Sequence, residues 1–171
     1  MTDGWTDARL GTDDSVHRVT AFDDARLAHR MLAEQARRTL RIVSRDLDAR
    51  LYDDPPFLEA VRALATSSRY ARIEALVQDP EPAVKRDHRL IELTRRLSSF
   101  IEVRVMGEDF KEFNEAFLVA DERGYYYRSQ ADRPEGELCF NGALRARELT
   151  RVFNDIWQVS EVDAQFRRLH I

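Results

Sequence analysis

The chain has 171 residues, 43% hydrophobic and 34% charged, with a formal net charge of −4. That length fits one domain able to bury roughly two-thirds of its unfolded surface. A pI near 5.6 and a mean hydropathy of −0.53 argue against a surface that is one electrostatic trap for nucleic acid, so nucleic acid is not the expected partner. Apolar runs such as AFLVA at 116–120 fall far short of the ~20 residues that cross a bilayer, and the polar N-terminus does not read as a signal peptide. No membrane partner is expected, and the expected location is cytoplasmic. One cysteine, Cys139, and four histidines at 17, 29, 88 and 170 offer neither an internal disulfide nor a metal-ligand spacing, so no metal or cofactor is expected.

Residues 1–20 lack apolar periodicity and read as a flexible lead-in anchored at most by Trp5, leaving 21–171 as the folded domain. Acids at Asp23 and Asp24 open a helix, with Leu27, Met31, Leu32 and Ala36 on one face, ending near Arg38. TLRIVS at 39–44 is a strand, and the aspartate-punctuated stretch after it a loop. Pro55 and Pro56 suit the first turn of a second helix capped by Asp53 or Asp54. A strand through Ile73 and Val77, a turn at 79–82, a helix with Leu90, Ile91, Leu93 and Leu97, and the alternating strand IEVRVM follow. FNEAFLVADERGYYYR at 113–128 reads as a hairpin in which Tyr125 and Tyr127 share one face and Tyr126 takes the other. A polar loop then leads to a closing helix expected to turn Leu144, Leu149, Val152, Phe153, Ile156 and Trp157 inward, and the partly apolar tail 161–171 is expected to dock. This order predicts an α/β fold with a mixed, mostly parallel sheet of five to six strands flanked by helices.

The succession resembles one half of the phospholipase D-like fold, over roughly residues 22–160. That family's motif is a histidine, a lysine two residues later and an aspartate five beyond the lysine. Aligning its aspartate on Asp121 puts Ala116 at the lysine position and Asn114 at the histidine position. The chemistry implied by the resemblance needs an imidazole nucleophile and a cation for the developing charge, and these residue types supply neither. The resemblance to small nucleases built from one such half per chain implies a homodimer. The stretches SRDLDARLYDDP, HRLIELTRRLSSFIEVR and RRLHI also resemble a bacterial domain found alone or C-terminal to GNAT-type acetyltransferase domains, which implies an acetyltransferase as protein partner.

Ser44, Asp46 and Asp79 follow the first two parallel strands, where open α/β sheets collect ligands; turn formation is the competing role. His88 is either an acid–base or anion-binding group at a helix start or a cap. Arg104 is expected to complement Asp121 across the sheet, and Arg89, Arg95 and Arg96 form a basic helix face. The candidate ligand-binding residues are therefore Ser44, Asp79, His88, Arg104 and Asp121. Three readings stand: a non-catalytic accessory module binding a partner protein or an anionic small ligand, which is preferred; an enzyme using His88 with Asp79 or Asp121; and a nucleic-acid-binding accessory domain.

Overall fold

The computed structural model describes residues 4–167. Three β-rich segments pair in parallel on one side of the sheet. His17–Val19 (β1) precedes the first helix, Phe22–Gln35 (α1). Thr39–Ser44 (β2), Arg72–Val77 (β3) and Ile101–Val105 (β4) then align side by side, with Thr39 opposite Arg72 and Ile73 opposite Ile101. The links between them carry Ala49–Tyr52 (α2), Pro55–Ala65 (α3), Glu81–Lys85 (α4) and Arg89–Arg96 (α5); α2 and α4 form where the sequence reads a loop and a turn, because helices of 4 and 5 residues are too short to show an apolar period. Asp54 caps α3 by accepting from Phe57 N, with proline at the first helical positions where no donor is needed.

The hairpin forms as Ala116–Ala120 (β5) and Gly124–Arg128 (β6), and β5 runs antiparallel to β2. Gly136–Cys139 (β7) pairs with β6, and β1 pairs with β7, giving the order β1-β7-β6-β5-β2-β3-β4. The sheet is mixed, as the sequence predicts, with seven strands among the described residues. It is not mostly parallel: β2–β3 and β3–β4 are the parallel pairs, and the other four pairings are antiparallel. The two extra strands have 3 and 4 residues, too short to show a period of two in the sequence.

Alternation along the strands divides the core. Leu40, Ile42, Ile73, Leu118 and Tyr126 meet α1, α3 and α5 on one face. Val43, Leu76, Phe117, Val119 and Tyr125 meet Ala143–Gln158 (α6) on the other, through Leu149, Phe153 and Ile156, while Leu144, expected inward, is exposed in the first turn of α6. The tyrosines thus split between faces as the sequence implies. The tail docks through a bridge between Val105 and Glu161 and through buried Phe166 in Ala164–Arg167 (α7); residues 168–171, with His170, lie outside the described residues.

The lead-in contributes more than its composition suggests. Trp5 is 1% exposed and packs on Phe140, and Gly11 N donates to Phe140 O at 2.8 Å. Gln35 at the end of α1 accepts from Leu10 N at 2.7 Å and donates to Ala8 O at 3.1 Å. A Cβ on Gly124 would fall 2.5 Å from Leu10 Cδ1, so a side chain there would require the Leu10 side chain of the lead-in to shift. Truncating Trp5 to alanine leaves a large void; we expect a loss of about 3 kcal/mol of stability, read as a lowered urea midpoint. A midpoint unchanged from wild type would mean that the segment is not part of the core.

Candidate functional site

Because β5 is antiparallel to β2, its first residues arrive where β2 and β3 end. Asn114 and Ala116 therefore stand at the carboxyl edge of the parallel strands, with Ser44, Arg45, Gln78 and Asp79. Asn114 Oδ1 accepts from Arg45 Nη2, and Ala116 is fully buried opposite Arg128 of β6. In-register partners share a face, so Arg128 projects to the side where a longer residue at 116 would point. The Arg128 side chain is buried at 1% exposure; Nη1 donates to Ala131 O at 3.0 Å and Arg133 O at 3.2 Å, and Nε has no partner. The signal for Arg128 is present in the sequence: it lies two residues after Tyr126, on that tyrosine's inward face.

Beneath Arg128 lies a polar pocket of core. His29 Nδ1 sits 2.7 Å from Ala25 O, which can only accept, so Nδ1 carries the proton and Nε2 accepts from the Tyr52 hydroxyl at 3.2 Å. Burial, then the charge of Arg128, pushes the His29 pKa down to about 3. Burial pushes the Tyr52 phenol up to about 12, opposed by the Arg128 charge. Both groups are neutral at pH 7.

Ser44, Asp79 and His88 do come together at this end, in structural roles. The chain after β2 turns through Leu47 at φ 56. Ser44 Oγ accepts from Leu47 N at 3.0 Å, and His88 Nε2 donates to Leu47 O at 2.9 Å while Nδ1 accepts from Leu90 N at the start of α5. Both ring nitrogens are engaged, and burial lowers the His88 pKa. Asp79 is exposed and accepts from Glu81 N at 3.2 Å, starting α4. Asp46 beside it has its pKa raised by burial, then by Asp48. Gln78 Nε2 reaches the carbonyls of Phe110, Lys111 and Phe113 at 3.1, 2.6 and 2.7 Å, pinning the β4–β5 link against the strand ends.

Arg104 and Asp121 belong elsewhere. Arg104 lies on the α6 side, 4.1 Å over the Trp157 ring and 3.4 Å from Glu102, and does not meet Asp121. The parallel course of β2 and β3 and the antiparallel course of β5 carry Asp121 to the opposite end of the sheet. There, at φ 54, its carboxylate accepts from the backbone N–H groups of Arg37, Arg38 and Thr39 at 2.8, 2.9 and 2.9 Å. On the basic helix face, Arg89 pairs with Asp53, Arg96 with Glu92, and Arg95 donates to Gln165 O. Cys139 is buried. Among the described residues, no cluster of three or more His, Cys, Asp or Glu is arranged to hold a metal.

Residues 21–169 match the family model described as Domain of unknown function (DUF7931). The chain belongs to that family. No curated protein matches it. Its fold is similar to that of Nuc, a phospholipase D family member from Salmonella typhimurium, at 12% identity and TM-score 0.66 over 88% of this chain and 99% of that one. The archaeal chromatin protein TrmBL2, whose structure shows a novel mode of DNA binding, matches at 12% identity and TM-score 0.66 over 92% of this chain and 57% of that one. Phosphatidylserine synthase from Haemophilus influenzae Rd KW20 matches at 15% and 0.64, over 92% of this chain and 41% of that one. The chain thus spans nearly all of Nuc and about half of the other two. At such identities the shared property is the fold, which is phospholipase D-like.

Replacing Asp121 by alanine strands three backbone donors and leaves a left-handed residue without its compensation. The expected loss is about 2 kcal/mol, measured by urea denaturation; Asp121→Asn, which keeps one acceptor and tolerates positive φ, is expected to lose less. A pH effect follows from His29. Between its ordinary value of 6.5 and about 3, the unfolded chain binds a proton that the folded chain refuses. Stability is therefore highest above pH 6.5 and falls as pH drops through this window, by roughly 1 kcal/mol per pH unit from this group. A titration of unfolding free energy that is as steep in His29→Gln as in wild type would exclude His29 as the source.

Proposed function

We propose that this protein is a phospholipase D-like accessory module that binds a partner protein or an anionic small ligand and does not perform covalent phosphodiester cleavage. One observation carries the reading: at the mouth of β5 the two positions aligned with nucleophile and cation hold Asn114 and Ala116, and the space on that face is taken by buried Arg128, tied to the carbonyls of Ala131 and Arg133. An amide does not attack phosphorus, and a methyl group does not stabilise a developing oxyanion. Loss of both groups costs many orders of magnitude in rate.

Gln78 supports the same reading, because its amide nitrogen is spent on the carbonyls of the β4–β5 link. An enzyme built on His88 finds less support, since both imidazole nitrogens already serve the fold. Arg128 also explains why reinstating the motif is not a two-residue change. A lysine at 116 would be buried beside a guanidinium, and like charges in low dielectric repel strongly.

The test is hydrolysis of bis(p-nitrophenyl) phosphate by the pure protein. Wild type is expected to stay at background, and Asn114→His with Ala116→Lys is expected to lower the melting temperature without restoring turnover. Turnover by wild type that disappears in His88→Ala would overturn the reading.

A further inference from the structure

At the end of the sheet opposite the crevice, parallel pairing of β2 and β3 brings two turns together, with Arg72 N donating to Arg38 O at 2.9 Å. These turns expose Arg37, Arg38, Arg69 and Arg72 together with Tyr70, which is 57% exposed. The Tyr70 ring lies 5.8 Å from the Arg38 guanidinium carbon and 4.9 Å from that of Arg69, and Arg69 Nη2 donates to the Tyr70 hydroxyl at 2.6 Å. Arg72 Nη1 is held by the carbonyls of Arg69 and Ala71. The cation–π contacts offset part of the repulsion among these charges and hold their donors in fixed positions.

Among the described residues, none of these four arginines forms an ion pair with a carboxylate, whereas Arg26, Arg30, Arg50, Arg62, Arg89 and Arg96 each do. Of the acids nearby, Asp121 directs its oxygens to the main chain of Arg37, Arg38 and Thr39, and Glu34 acts on Arg30. In a chain of net charge −4, this is a concentrated positive field facing water. Guanidinium forks in that state match carboxylates bidentately.

The patch adjoins a second feature. A groove of about 760 Å³ runs between α1 and α3 over Ala33, Ala36, Ala60 and Leu64, with Glu34 and the Arg62-paired Glu59 also in its lining, and it reaches Arg37 and Ser67 at the patch. Small residues there let another element approach closely, and apolar side chains find an apolar floor.

We propose that this end of the molecule docks an acidic amphipathic segment of a partner protein, with its carboxylates on Arg37, Arg38, Arg69 and Arg72 and its apolar side chains in the α1–α3 groove. The apolar groove favours a polypeptide over nucleic acid, since phosphates and sugars gain nothing from it, and a long polyanion would meet the acidic remainder of the surface. Tyr70, engaged by two guanidiniums, is also a poor platform for a stacked base. The surface is independent of what occupies the crevice.

The experiment is fluorescence anisotropy with two labelled probes, an amphipathic peptide of leucine and glutamate and an oligothymidylate, at low and high salt. The peptide is expected to bind wild type at low salt and to weaken as salt screens the charges. The exposed pair Arg38→Glu with Arg69→Glu is expected to keep the wild-type melting temperature and to lose at least about tenfold in affinity, and Ala63→Glu in the groove wall is expected to weaken binding as well. Absence of peptide binding at low salt, equal binding by the charge-reversed variant, or tighter binding of oligothymidylate than of peptide would each overturn the proposal, the last by assigning the patch to nucleic acid.

Discussion

Strand β2 has a parallel neighbour on one side and an antiparallel one on the other, and most of the molecule follows from that arrangement. Its inner residues Leu40, Ile42 and Val43 are fully buried, so register with both partners is fixed by burial on two faces. The parallel side gathers the loops after β2 and β3 at one end and the turns before them at the other. The antiparallel side feeds the start of β5 into the first group and its end, Asp121, into the second.

The two ends then diverge in chemistry. At the carboxyl end, polar atoms are largely used up: Ser44 and His88 hold a left-handed Leu47, Gln78 holds a loop, and Arg128 is anchored to carbonyls over the neutral pair His29 and Tyr52. A buried guanidinium persists because desolvating it unpaired would cost far more than its hydrogen bonds to those carbonyls leave uncompensated. At the amino end, Arg37, Arg38, Arg69 and Arg72 are exposed and without carboxylate partners among the described residues, and Arg38 and Arg69 lie against the Tyr70 ring. The first arrangement suits a fixed core, the second an encounter with an anion.

Much of the candidate site was unreadable from spacing because its residues act through long-range pairing. Asp121 and Arg104 look like partners when strands are laid out by polarity, yet one leaves the sheet at its far end and the other faces Trp157. His88 looks like a free base until Leu47 O and Leu90 N are seen to occupy its two nitrogens. Arg128 was missed because a charge at the end of a tyrosine run resembles an exposed strand terminus, and only the pairing with Ala116 shows that it is enclosed.

The sequence by itself determined the four longer helices α1, α3, α5 and α6, the three parallel strands and the hairpin, because each carries a local period of apolar residues that burial enforces. Tertiary structure decided that the sheet is mainly antiparallel, that Trp5 belongs to the core, and that arginines from separate turns form one surface. Those outcomes depend on which distant segments hydrogen-bond to each other, and strands of three or four residues leave no periodic trace of that choice.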